Sequence, residues 1–174
     1  DCHMPKIVQG LARAVRTHQI SSPTNVKMLQ AGAPNACNLC HLDESIDWTL
    51  TQLEEGWGGA VNRERLHAGY GEDLAKPVGH VWLSHPTPVI RLIASEAVSR
   101  APDARTRLPV LLSLLREDRP VTRMFGLFAV ERTWGRQLTE AEFNPMASAA
   151  NRDAQVAALL EKLQEEAERT PASP

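Results

Sequence analysis

The chain has 174 residues, 43% hydrophobic and 23% charged, an ordinary balance for a globular protein with room for one core or two small ones. Nineteen Lys and Arg against 21 Asp and Glu leave a formal net charge of −2, which argues against nucleic acid as a partner, because such domains carry a clear basic excess. The longest strongly apolar stretch, 110–115, is far short of the roughly 18 residues a membrane span needs, so no transmembrane segment is expected.

In chain order, Ile7, Val8, Leu11, Ala12 and Val15 recur at helical spacing and predict a short helix over 5–17. Ser21-Ser22-Pro23-Thr24 and Gly32-Ala33-Pro34-Asn35 are turn clusters. This first stretch has few large apolar residues and can hardly build a core by itself. A helix is predicted over 47–62, with Trp48, Leu50, Leu53 and Trp57 on related faces and Gly58-Gly59 weakening or ending it. The Gly-rich segment 67–77 gives no firm reading.

The second half repeats itself. Pro88-Val89-Ile90-Arg91 aligns with Pro120-Val121-Thr122-Arg123, and Ala97-Val98-Ser99-Arg100 with Ala129-Val130-Glu131-Arg132, a shift of 32 residues throughout. Such a period marks an array of helical repeats. Each unit then begins with a helix just after a Pro, which suits the first turn because its missing N–H would be unpaired there. Leu108, Leu111, Leu112 and Leu115 form a helical stripe between the copies. Thr139 and Glu142 make a capping box. A last helix is expected over 151–168, with Val156, Leu159, Leu160 and Leu163 inward and a frayed tail after it. No stretch alternates as a strand does, so the fold class is all-α: a loop-rich region 1–66 followed by helical repeats over 67–174.

Chemistry concentrates in the first region. All three cysteines (Cys2, Cys37, Cys40) lie within 40 residues, and no Cys or His occurs after His85. Cys37-Asn38-Leu39-Cys40-His41 is a C-x-x-C-H sequence, the attachment signature of c-type haem. Two thiols add across the haem vinyl groups and the adjacent His becomes the proximal iron ligand. A zinc site with four cysteine ligands is impossible with three cysteines, and zinc bound through adjacent Cys40 and His41 has awkward spacing. A thioredoxin-like redox pair calls for a βαβ unit, and none is evident. Cys2-His3 repeats the end of the same motif, with its partner Cys two positions upstream of Asp1; the competing reading is a lone thiol at a terminus.

On these residues, Cys2-His3-Met4-Pro5, His18-Gln19-Ile20-Ser21-Ser22-Pro23 and Pro34-Asn35-Ala36-Cys37-Asn38-Leu39-Cys40-His41-Leu42-Asp43, the chain resembles multihaem c-type cytochromes that continue into HEAT-like repeats. The resemblance implies one haem c at Cys37, Cys40 and His41 and a second through Cys2 and His3, with His41 and His3 as iron ligands. His18 is the first candidate for a sixth ligand, ahead of His67, His80 and His85, with Met4 and Met28 also able to ligate. Bis-His ligation leaves no open position, so such iron transfers electrons and the chain is not an enzyme. Arg, 15 of the 19 basic residues, can pair with haem propionates. The four Trp are expected to pack rather than relay electrons.

The expected function is electron transfer by one or two covalent haems, with the repeats as a docking surface for other cytochromes or a larger electron-transfer complex. The alternative is an accessory scaffold in which haem staples a weak core. Haem attachment outside the cytoplasm implies an exported, periplasmic or extracellular, bacterial protein. The opening Asp1-Cys2-His3-Met4-Pro5 shows no secretory signal, so a mature or truncated chain is expected.

Overall fold

The computed structural model describes residues 3–20, 29, 32–58 and 61–169. Among them the chain is mostly helical, with a single two-stranded hairpin. Cys2, Met28, the Ser21–Thr24 cluster and the tail after Arg169 lie outside the described residues.

The expected helix over 5–17 is instead a hairpin, β1 (Val8–Gln9) and β2 (Ala14–Val15), paired antiparallel with Val8 opposite Val15. Gly10 explains the difference. Its N–H donates to the Arg13 carbonyl at 3.0 Å, closing the turn, and a Cβ there would press on that same carbonyl oxygen. Helical burial is also lacking: Leu11 is fully exposed and only Ala14 of this stretch's strands joins the core. Pro5 anchors the hairpin from outside, its carbonyl accepting the N–H groups of Ile7 and Thr17.

Helix α1 (Ile46–Trp57) starts at Ser45, whose Oγ accepts the Trp48 N–H, and stops at Gly58 in the left-handed conformation, φ 65°. Its buried residues Ile46, Thr49, Leu50 and Leu53 follow the i, i+3, i+4, i+7 pattern of an amphipathic helix. The helix is shorter than the sequence predicts, and Trp57 stays 66% exposed instead of sharing that stripe. Asn62 begins a separate helix, α2 (Arg63–Tyr70), by accepting the Arg65 N–H, and a 3-10 turn over Gly71–Ala75 leads to the one-turn α3 (Val78–Val81).

The 32-residue repeat is visible in the structure. Helices α4 (Pro88–Val98) and α6 (Pro120–Trp134) both open with the predicted Pro and pack against each other. Between them, a 3-10 turn over Ala104–Arg107, helix α5 (Leu108–Ser113) and a 3-10 turn over Leu114–Arg116 carry the leucine stripe. Leu108, Leu111, Leu112 and Leu115 are all fully buried. A capping box does form at Thr139 and Glu142, each backbone N–H meeting the other's side chain, but it closes a turn and no helix follows it there. Helix α7 (Ala149–Arg169) buries Val156 and Leu159, with Leu160 and Leu163 half-buried.

One arginine per unit ties the array together. Arg91 reaches back to the carbonyls of His85 and Pro86, and Arg123, 32 residues on, to those of Glu117 and Asp118, the equivalent positions. Each also reaches forward: Arg91 pairs with the Glu117 carboxylate, and Arg123 Nε donates to the Pro145 carbonyl at 2.8 Å. Arg152, three residues into α7, donates to the Ala147 carbonyl at 2.7 Å. A planar guanidinium with five N–H groups can serve two segments at once. Every lead-in loop is thereby held to its own helix, and the first two units are held to the next.

The apolar core runs without interruption from Ala14 and Leu39 through Trp82 to Val156 and Leu159. No helix among the described residues is long and apolar enough to cross a membrane.

Candidate cofactor-attachment site

The Cys37–His41 segment forms a tight turn after the buried Pro34. The N–H groups of Cys40 and His41 both donate to the Cys37 carbonyl, at 3.1 and 3.0 Å, so the two cysteines and the histidine belong to one turn of chain. Cys37 is half-buried, while Cys40 and His41 are exposed. The two cysteines are not joined in a disulfide. The His41 ring lies 4.9 Å from that of Trp48, tilted at 42°.

Asn38 holds this turn, although no sequence motif marks it. It is 0% exposed, and its N–H and both polar atoms of its side chain are used. Its N–H donates to Asn35 Oδ1 at 3.0 Å; its Oδ1 accepts from Asn35 Nδ2 at 2.8 Å and from Thr49 Oγ1 at 2.6 Å. Its Nδ2 faces the carbonyls of His41, Glu44 and Ser45, at 3.3, 3.4 and 3.3 Å. A buried amide is tolerated only when its bonds are made. Here the amide ties the motif's centre to the chain that follows and to α1. Asn at both 35 and 38 was the available signal.

The segment after His41 is fixed across the chain as well. Leu42 and Glu44 carbonyls accept the N–H groups of Gly79 and Val78, at 2.9 and 3.0 Å, and Ser45 bridges Pro77. A Cβ at Gly79 would meet the Leu42 carbonyl and the Arg107 guanidinium, so a glycine is required for α3 to lie this close to the motif.

A crevice beside the turn brings distant parts of the chain together. Pro5, Lys6 and Arg16 line it from the N-terminal hairpin, Ala36, Leu39 and Cys40 from the motif, and Arg100 from the end of α4. The chain just after Cys2-His3 therefore meets the Cys37–His41 turn. Lys6 titrates below the ordinary lysine range, chiefly because of Arg100, then burial, with Arg16 and Arg13 adding and Glu96 alone opposing. Arg16 Nη1 also donates to the Met4 carbonyl. Arg100 pairs with Glu96 at 3.5 Å, and its repeat counterpart Arg132 binds the same carboxylate at 2.7 Å.

Other candidate ligands are dispersed. His3, His18, His67 and His80 are exposed. His85 Nδ1 accepts the Thr87 N–H at 3.0 Å, and burial, then Arg91, hold its imidazole below the ordinary histidine range. Among the described residues no group of three or more His, Cys, Asp or Glu is placed to hold a metal ion, so His3, His18 and His41 do not form one. A structural zinc ion asks the chain for four converging ligands, whereas a haem asks for two thiols and one or two axial groups. Two cysteines and an exposed imidazole on one ordered turn fit the second requirement. No family model, curated protein or solved structure matches this chain.

Proposed function

We propose that this chain is an electron-transfer protein carrying haem c on Cys37 and Cys40, with His41 as the proximal ligand, and a second haem through Cys2 and His3. The observation that supports it most is the turn itself: a C-x-x-C-H sequence fixed by a fully bonded buried amide, with Cys40 and His41 facing solvent. When bound, such a haem supplies a one-electron couple through its iron. The chain's own residues set the stage for it. Asn38 orders the turn, the Leu42–Gly79 contact fixes the chain beyond His41, and Leu39 seats the turn on the core.

His18 is the preferred sixth ligand, and the HEAT-like repeats over 67–174 offer a rigid surface for other cytochromes or a larger electron-transfer complex. Haem attachment of this kind places the protein outside the bacterial cytoplasm. That Pro5 and Lys6, just after Cys2-His3 in the chain, line one crevice with Cys40 supports a relay of two haems over a single isolated one. The scaffold alternative draws on the unbroken core shared by motif and repeats, in which haem adds buried surface to a loop-rich region.

A pyridine haemochrome assay with intact mass on the denatured protein tests the reading. Two covalent haems per chain are expected. One would confine attachment to Cys37 and Cys40 and favour the scaffold, and none would overturn the proposal.

A further inference from the structure

The chain is acidic overall, with a net charge of −2, yet its charge is not evenly spread. Around Cys40 the crevice carries Lys6, Arg16 and Arg100, with Arg13 close enough to act on Lys6 and Arg132 behind Arg100 on the same carboxylate. Glu96 is the acidic group acting on Lys6; its side chain is only 4% exposed and is shared between Arg100 and Arg132. Three cations in the crevice lining with no acidic side chain among the lining residues, beside a buried carboxylate already shared by two arginines, leave a local positive field at the surface.

Pro5, Ala36 and Leu39 form the walls, so field lines are concentrated at the mouth by low-dielectric surroundings. The residues come from three separate segments, near 6–16, 36–40 and 100. Helix α4, whose end supplies Arg100, is fixed by packing on α6, so the patch is built by the tertiary fold and not by a local run of charge.

We infer that this cationic crevice beside Cys40 docks the acidic face of a protein redox partner. The inference rests on the electron-transfer reading above and names the partner for that same site. Opposite charge beside Cys40 steers encounter so that the partner would arrive at the attachment turn. Rim charges of this kind act mainly on association rate and its salt dependence.

The test uses the reduced, haem-loaded protein and two small oxidants of opposite charge, ferricyanide and tris(phenanthroline)cobalt(III). At low ionic strength the ferricyanide rate is expected to be high and to fall with added salt, and the cobalt rate to rise with it. Lys6→Glu should slow ferricyanide about fivefold at low salt and speed the cobalt complex. Arg119→Glu is the control: it reverses an exposed cation at the opposite end of α6, about 20 Å from Arg132 at 1.5 Å per residue, and should leave the ratio of the two rates unchanged. Binding of poly-L-glutamate to the oxidised protein, followed by calorimetry, gives a readout free of electron transfer and should weaken about fivefold in Lys6→Glu alone. Haem-loaded Lys6→Glu that matches Arg119→Glu in both measurements overturns the docking site and leaves the haem reading standing. Wild type without covalent haem overturns both.

Discussion

The motif region and the repeat array solve the same problem, a chain with many polar loops, in opposite ways. Around Cys37–His41 one buried side chain, Asn38, satisfies two other side chains and faces three main-chain carbonyls. In the array the task is distributed: Arg91, Arg123 and Arg152 each clamp a lead-in loop, over a core of fully buried leucines. A single hub makes a precise turn with one point of failure. A repeated clamp makes a stiff body in which each unit backs its neighbour. Precision suits the place proposed to bring two thiols and an imidazole to one rigid cofactor, and stiffness suits the surface proposed to position it.

Asn38→Ala should therefore cost the most, about 4 kcal/mol, because it leaves the Asn35 amide, the Thr49 hydroxyl and buried carbonyls without partners and opens a cavity. Thermal unfolding measures the loss. On haem-free protein of this and the next variant, in which Cys37 carries no thioether, faster alkylation of the half-buried Cys37 would show that the turn itself has loosened, and an unchanged Cys37 rate would mean the hub does not govern the motif. Leu111→Ala, in the fully buried stripe of α5, should cost about 3 kcal/mol from lost burial and the cavity left behind. It should leave Cys37 alkylation in the folded state unaltered, so the two variants separate the regions.

Much of the array is legible in the sequence because its determinants are local and periodic. Pro88 and Pro120 mark helix starts, and a leucine every three or four residues marks a buried face. The clamps stand in the same alignment, in Arg91 and Arg123, but their partners are main-chain carbonyls that carry no sequence signal. The hairpin escapes such reading because Ile7, Val8, Leu11 and Val15 fit a helix in spacing alone; Gly10 and the absence of anything to bury Leu11 decide otherwise. At the site, Cys37, Cys40 and His41 stand out by spacing, whereas Lys6, Arg16 and Arg100 converge from across the chain and no linear pattern joins them.

Close packing within the array sets up a smaller test. At Gly126 in α6 an added Cβ would lie 2.9 Å from Leu114 Cβ and 3.4 Å from its backbone. Ala gains helix propensity of about 1 kcal/mol over Gly, but Leu114 is buried and its Cβ cannot swing away, so overpacking of about 2 kcal/mol outweighs that gain. Gly126→Ala should lower stability by about 1 kcal/mol in chemical denaturation; a gain would mean that α6 and the Leu114 turn are not in rigid contact.

The smallest expected effect sharpens the comparison between the repeat units themselves. At equivalent lead-in positions the first unit has His85 and the second Glu117. His85 accepts the Thr87 N–H through Nδ1, a role open only to the neutral ring, and burial and Arg91 hold its pKa below the usual value. A group depressed on folding contributes stability that is fully present above its unfolded pKa, about 6.5, and is lost as pH falls through the lower folded value. His85 is half-buried, so the contribution is under about 1 kcal/mol. His85→Asn keeps an acceptor that can reach an N–H two residues on and removes the titration. Denaturation midpoints at about pH 7.5 and about pH 5.5, either side of the ordinary histidine pKa, should then fall further for wild type than for His85→Asn. Equal slopes would mean that the first lead-in loop does not depend on a neutral imidazole, and that the two units differ in sequence but not in how they respond to acid.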